Sequence, residues 1–184
     1  MTEHREADAD AVNGIGFEHR AALAEQMRDP DRVGRFSGPW TATTTWRGGF
    51  RVDARVRSHT IAFDEPADLT GHDSAPTPHE YLLSAVGACI TDGMVLHATL
   101  AGIEIRTLNV RVTGSFDNIL RWAGLAEEGN PGFGALEISG TVAADAEPEQ
   151  LIDLWNRAVS GSPVAQTVGR PTSIISHLTF DSAA

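Results

Sequence analysis

Lysine is missing from this chain: all 14 basic residues are arginines. That excludes Schiff-base chemistry, pyridoxal phosphate anchoring and the lysine of a phosphate-binding loop. Cysteine occurs once, at Cys89, so no intrachain disulfide and no Cys-rich zinc or iron–sulfur site can be built. Positive charge is scarce too. Acidic residues number 25 and the net charge is −11, whereas a nucleic-acid-binding surface needs a basic face. Neither H-x-x-x-H nor H-E-x-x-H occurs around His72 or His79, so no metal is expected. Gly161-Ser162-Pro163 lacks the G-x-S-x-G form of a nucleophile elbow. The first ten residues, MTEHREADAD, are polar and acidic, unlike a signal peptide, and a cytoplasmic location is expected.

What remains is 184 residues, enough for one medium domain that buries roughly 70 % of its unfolded surface. One apolar run, Tyr81 to Ala101, is nearly long enough to cross a bilayer. Asp92 and His97 lie inside it and nothing basic precedes it, so it reads as a helix buried in protein.

Residues 1–14 are charged and aperiodic and suggest a loose tail; Phe17 to Met27 favours helix, and Asp29-Pro30 ends it. With the connector Ser37-Gly38-Pro39, this gives an N-terminal tail and short helix over 1–39 and a main domain over 40–184. Thr41 to Trp46, the Gly48-Gly49 turn and Phe50 to Val56 read as a β-hairpin, with Arg51, Asp53, Arg55 and Arg57 on one face. Ile61 to Phe63 adds a short strand. Thr77-Pro78-His79-Glu80 has the capping-box pattern of a long helix that runs to Ala101 and stops at Gly102.

Strands follow around Leu108–Val112 and Leu136–Val142, separated by an aromatic-containing insertion or lid from Phe116 to Gly134 that holds Trp122, Pro131 and Phe133. Pro148 to Val159 is an amphipathic helix with Leu151, Leu154, Trp155, Ala158 and Val159 on its buried side. Ile174, Ser176, Leu178 and Phe180 alternate as a closing strand. The order predicts an α+β fold: mainly antiparallel sheets around a long central helix.

Cys89 lies about three turns inside that helix, too deep for the helix terminus to activate it, so a nearby Arg would have to favour the thiolate. A lone Cys on an apolar helix is more often a small buried hydrophobe. Asp92 and His97 fall within about 80° of the Cys89 direction and could line the same cleft, or serve packing alone.

The segment TPHEYLLSAVGAC, Thr77 to Cys89, resembles the Cys-bearing signature of OsmC/Ohr proteins. SPVAQTV, Ser162 to Val168, is similar to the family's second motif, and Trp46 to Val56 resembles its N-terminal hairpin. The similarity spans roughly residues 40–182. It implies an intertwined homodimer that reduces organic hydroperoxides as part of an oxidative-stress response, with an external thiol as reductant and no cofactor.

The resemblance makes Cys89 the nucleophile and Arg51 its activating partner, with Arg47 and Arg55 as competitors. Glu80 is the candidate catalytic carboxylate, although helical geometry turns it away from Cys89; the carboxylate of the Ohr branch aligns with His79. Ser162 stands at the resolving position, so the family's internal disulfide cannot form. Beside a one-cysteine peroxidase stand two alternatives: a dimeric module in which Trp122, Phe133 and the helix enclose a small apolar ligand, and an oxidant sensor.

Overall fold

The computed structural model describes residues 11–180. Two short helices, α1 (Phe17–Gln26) and α2 (Pro30–Phe36), precede a sheet of β1 (Thr43–Trp46), β2 (Val52–Val56) and β3 (His59–Phe63). The proline expected to end the first helix also begins the second, because Asp29 accepts the Asp31 backbone N–H as its N-cap. The sheet is antiparallel in the order β1-β2-β3, with Trp46 opposite Val52 and Val56 opposite His59. Arg57, expected at the end of the strand, lies instead in the β2–β3 turn with φ +54°.

The central helix α3 runs from Pro78 to Leu100. The capping box forms: the Thr77 hydroxyl accepts the Glu80 N–H, and the Glu80 carboxylate accepts the Thr77 N–H at 2.8 Å. At its other end Gly102 turns the chain away with φ +72°. By length and composition α3 could cross a bilayer. Here one side of it is instead a core face, with Val86, Ile90, Met94 and Ala98 fully buried.

Two elements cover that side. The long hairpin β4 (Ile105–Phe116) and β5 (Phe133–Ala144) packs on α3 with Leu108 opposite Val142 and Val112 opposite Ile138. Helix α5 (Pro148–Gly161) adds Leu154 and Ala158. The small residues of α3 make both approaches close. A Cβ on Gly87 would lie 3.4 Å from Val112, and one on Gly93 would lie 3.3 Å from the Ala158 backbone.

The insertion between β4 and β5 is ordered around α4 (Ile119–Trp122). It is tied down by Arg121 donating to the Gly129 carbonyl, and its base is closed by Phe116 stacked on Phe133 at 4.6 Å. A last helix, α6 (Pro163–Gly169), was not visible as a pattern, being only seven residues long.

Two expectations change. Residues 171–180 do not form the closing strand: they pair with neither described sheet, and Ile174 and Phe180 are 92 % and 87 % exposed. The start of the chain is better anchored than a loose tail, although residues 1–10 lie outside the described part. Asn13 donates to the Thr99 hydroxyl and the Ile103 carbonyl and accepts from the Ile105 N–H, which pins the chain to the end of α3.

Candidate active site

Cys89 sits in the middle of α3, half-buried and unbonded. The buried residues of the helix fall on one side, and Cys89 lies on the flank of that side. Residues three and four apart on a helix share a face. Leu82, Ala85, Cys89, Asp92, Leu96 and Leu100 therefore form one stripe, in which Leu82, Ala85, Asp92 and Leu100 are exposed and Cys89 and Leu96 half-buried. Asp92 shares the stripe as expected, and His97 is half-buried nearby along the helix. No hydrogen bond or ion pair links the side chains of Cys89, Asp92 and His97 among the described residues.

Arg51 stands at the mouth of β2, in a turn held by its own N–H to the Gly48 carbonyl and by the Arg47 N–H to its carbonyl. Trp46 braces the turn through Nε1 to the Gly49 carbonyl at 2.8 Å. Of the competing cations, Arg47 is committed to Asp53 at 2.7 Å. Arg51 and Arg55 are exposed and carry no ion pair among the described residues. The tip of the hairpin leans on the insertion, with Phe50 at 6.3 Å from Trp122.

Glu80 serves the helix start. Its carboxylate accepts from both the N–H and the hydroxyl of Thr77, and these bonds hold it below the usual carboxylate range, helped by the neighbouring His79. Nine residues separate it from Cys89, about 13 Å of helical rise, so the two cannot meet on one α3. His79 stands edge-on to Phe116 at 5.1 Å.

Ser162 is buried and its hydroxyl accepts the Ala165 N–H at 3.1 Å, capping α6. Trp122 and Phe133 do not enclose one space: Trp122 lines a cavity beside the start of α3, and Phe133 backs Phe116 from the other side.

The polar loop between β3 and α3 is organised by Asp64, which is fully buried. It accepts from the Ser74 hydroxyl at 2.7 Å and from the N–H groups of Glu65, His72 and Ser74. These donors, the Ser74 hydroxyl first, bring its pKa down to about 2 against the desolvation that opposes them. The only signal was the polar run after Phe63, which also fits an unstructured loop.

An α+β fold of antiparallel sheets around one long central helix is the fold of the OsmC-like proteins. The family model for OsmC-like protein matches residues 71–177, more than half of the chain, and the chain belongs to that family. Among solved structures, an OsmC-like protein from Mycoplasma pneumoniae is 19 % identical, with a TM-score of 0.61 over 72 % of this chain and 88 % of that one. An organic hydroperoxide resistance protein from Elizabethkingia anophelis is 20 % identical, with a TM-score of 0.52 over 71 % and 88 %. An OsmC-like protein of unknown function from Vibrio cholerae is 10 % identical, with a TM-score of 0.54 over 71 % and 93 %. At these identities the likeness is one of fold. A comparison with curated protein sequences returns no match.

Proposed function

We propose that this protein reduces organic hydroperoxides through Cys89 alone and relies on an external thiol to reset it. The observation that carries the reading is the half-buried thiol at the centre of a largely apolar stripe on the family's core helix. In the first step the Cys89 thiolate attacks the terminal oxygen of the hydroperoxide. The S–O bond forms, the O–O bond breaks, and the departing alkoxide takes a proton to leave as alcohol. A first external thiol then attacks the sulfenic sulfur, releasing water; a second frees Cys89 and leaves as disulfide.

A free thiol is only a few per cent thiolate at neutral pH, so a guanidinium near the sulfur speeds the first step. Arg51, unpaired among the described residues and carried on a braced turn, is the group proposed for it.

The site is proposed to be completed in a homodimer. Cys89 and Glu80 are a helix length of two to three turns apart, and Arg51 belongs to the other sheet. The stripe around Cys89 and the exposed apolar tail from Ile174 to Phe180 both lack cover within one copy. On this reading residues 40–184 are the family domain, residues 1–39 an appendage to it, and the protein works in the cytoplasm.

The test is cumene hydroperoxide treatment followed by dimedone trapping and mass spectrometry, then turnover with several thiol reductants. Cys89 is expected to trap as sulfenic acid, to pass to the sulfinic form under excess oxidant, and to turn over only with added thiol. Cys89→Ser abolishes consumption, and Arg51→Gln slows the first step. A Cys89→Ser protein that consumes peroxide at the wild-type rate overturns the reading. Resistance of folded Cys89 to both dimedone and alkylation replaces it with ligand binding without redox turnover.

A further inference from the structure

The tip of the β1–β2 hairpin is tied down one side chain at a time, with a single exception. Trp46 donates its indole N–H to the Gly49 carbonyl at 2.8 Å. Arg47 is held across the hairpin by Asp53 at 2.7 Å. The Phe50 ring lies 6.3 Å from the Trp122 ring of the insertion. Of the non-glycine residues from Trp46 to Arg51, only Arg51 has a side chain with no hydrogen bond, ion pair or ring contact among the described residues, and it is exposed.

The ties answer a weakness of the turn. Gly48 and Gly49 take φ +101° and +56°, and glycine leaves a turn more conformations than any other residue does. Two backbone bonds close the loop: the Arg47 N–H donates to the Arg51 carbonyl at 2.8 Å, and the Arg51 N–H donates to the Gly48 carbonyl at 3.1 Å. Neither involves Gly49. The peptide between Gly49 and Phe50, which leads the chain into Arg51, is fixed by the Trp46 indole. Trp46 is 72 % exposed, so its ring buries little surface and packing does not account for it.

We infer that Trp46 is a positioning residue, whose indole N–H fixes the turn so that the Arg51 guanidinium is presented in one place. The inference rests on the reading that Arg51 activates Cys89. A guanidinium on a loose glycine turn spends little of its time beside the sulfur. Held in place by the turn, it favours the thiolate without first having to be ordered.

The experiment follows alkylation of Cys89, the single cysteine, by iodoacetamide in the full-length protein from about pH 5 to pH 9. The thiolate is the reacting form, so the profile reads the ionisation of the thiol. Arg51→Gln is expected to slow alkylation at pH 7 about tenfold and to displace the profile to higher pH. Trp46→Phe keeps a ring and loses the N–H. It is expected to slow the reaction about threefold with a displacement in the same direction, and to add nothing on the Arg51→Gln background. Asp92 and His97, the titratable neighbours of Cys89 along α3, are the same in every variant, so the displacement reports the guanidinium.

A Trp46→Phe profile equal to wild type, when Arg51→Gln moves, overturns the inference and leaves the role of Arg51 standing. A Trp46→Phe effect that persists in full on the Arg51→Gln background also overturns it, because a general structural effect does not act through Arg51. An Arg51→Gln profile equal to wild type overturns the inference together with the activating role of Arg51. The exposed position of Trp46 lets the Phe variant fold, which a melting temperature within a few degrees of wild type checks.

Discussion

At the residue scale, Asp64 shows how much a single buried carboxylate can organise. Four donors converge on it and hold the loop between β3 and α3 in place. Its pKa falls from 3.8 to about 2 on folding, so its contribution to stability is complete above pH 4 or so and drains away as pH falls toward 2. Asp64→Asn is therefore expected to lower the urea midpoint at pH 7. The gap between variant and wild type should narrow steadily between about pH 4 and pH 2. A gap that stays constant with pH refutes the assignment.

Ser162 makes a similar point for the family's second motif. Its hydroxyl caps α6, and Ser162→Ala should cost about 1 kcal/mol, or about 2–4 °C in melting temperature. Restoring a cysteine there removes the same cap, because a thiol is a weak acceptor.

At the element scale, the fold depends on glycines that let packed surfaces meet. A Cβ on Gly140 of β5 would lie 2.5 Å from the Trp155 ring of α5, whose body packs on the core cluster. Gly140→Ala is expected to destabilise by about 1–3 kcal/mol in chemical denaturation, since the ring has to move with its helix. An unchanged midpoint would mean that α5 slides freely over the hairpin.

Helix α3 was legible from its capping box and its apolar run, and β4, β5 and α5 from their periods. Helices α4 and α6 were not, because four to seven residues are too few to establish a 3.6-residue period. The same glycines limited the reading of α3. Gly87 meets Val112 and Gly93 meets Ala158 of the same chain, partners that the helical pattern alone does not name.

At the scale of the whole molecule, one protomer leaves apolar surface uncovered. Ile174, Ile175, Leu178 and Phe180 are all exposed, on a tail whose alternation suits a strand. Leu82 and Leu100 likewise face solvent on the Cys89 stripe. Covering both from a second copy is the arrangement proposed here. Light scattering at micromolar concentration is expected to report a dimer, and deletion of residues 174–180 to weaken or abolish it. A monomeric full-length chain at that concentration rules the arrangement out.

Local chemistry was enough to write the order of the main elements from β1 to α5, the capping box of α3, the Gly48-Gly49 turn and the singular thiol, because each depends on residues a few positions apart. The family followed from the same short segments. Tertiary structure alone decided the rest. Which residue satisfies Asp64 depends on a loop closing over ten positions, and whether Arg47 or Arg51 is free depends on Asp53 across the hairpin. The cavity beside the start of α3 joins the loop before that helix to an insertion some fifty residues later, a meeting that no local pattern encodes. The final strand failed to form for the complementary reason. Its alternation was readable, but a strand exists only where another edge accepts its hydrogen bonds, and none of the described strands pairs with it.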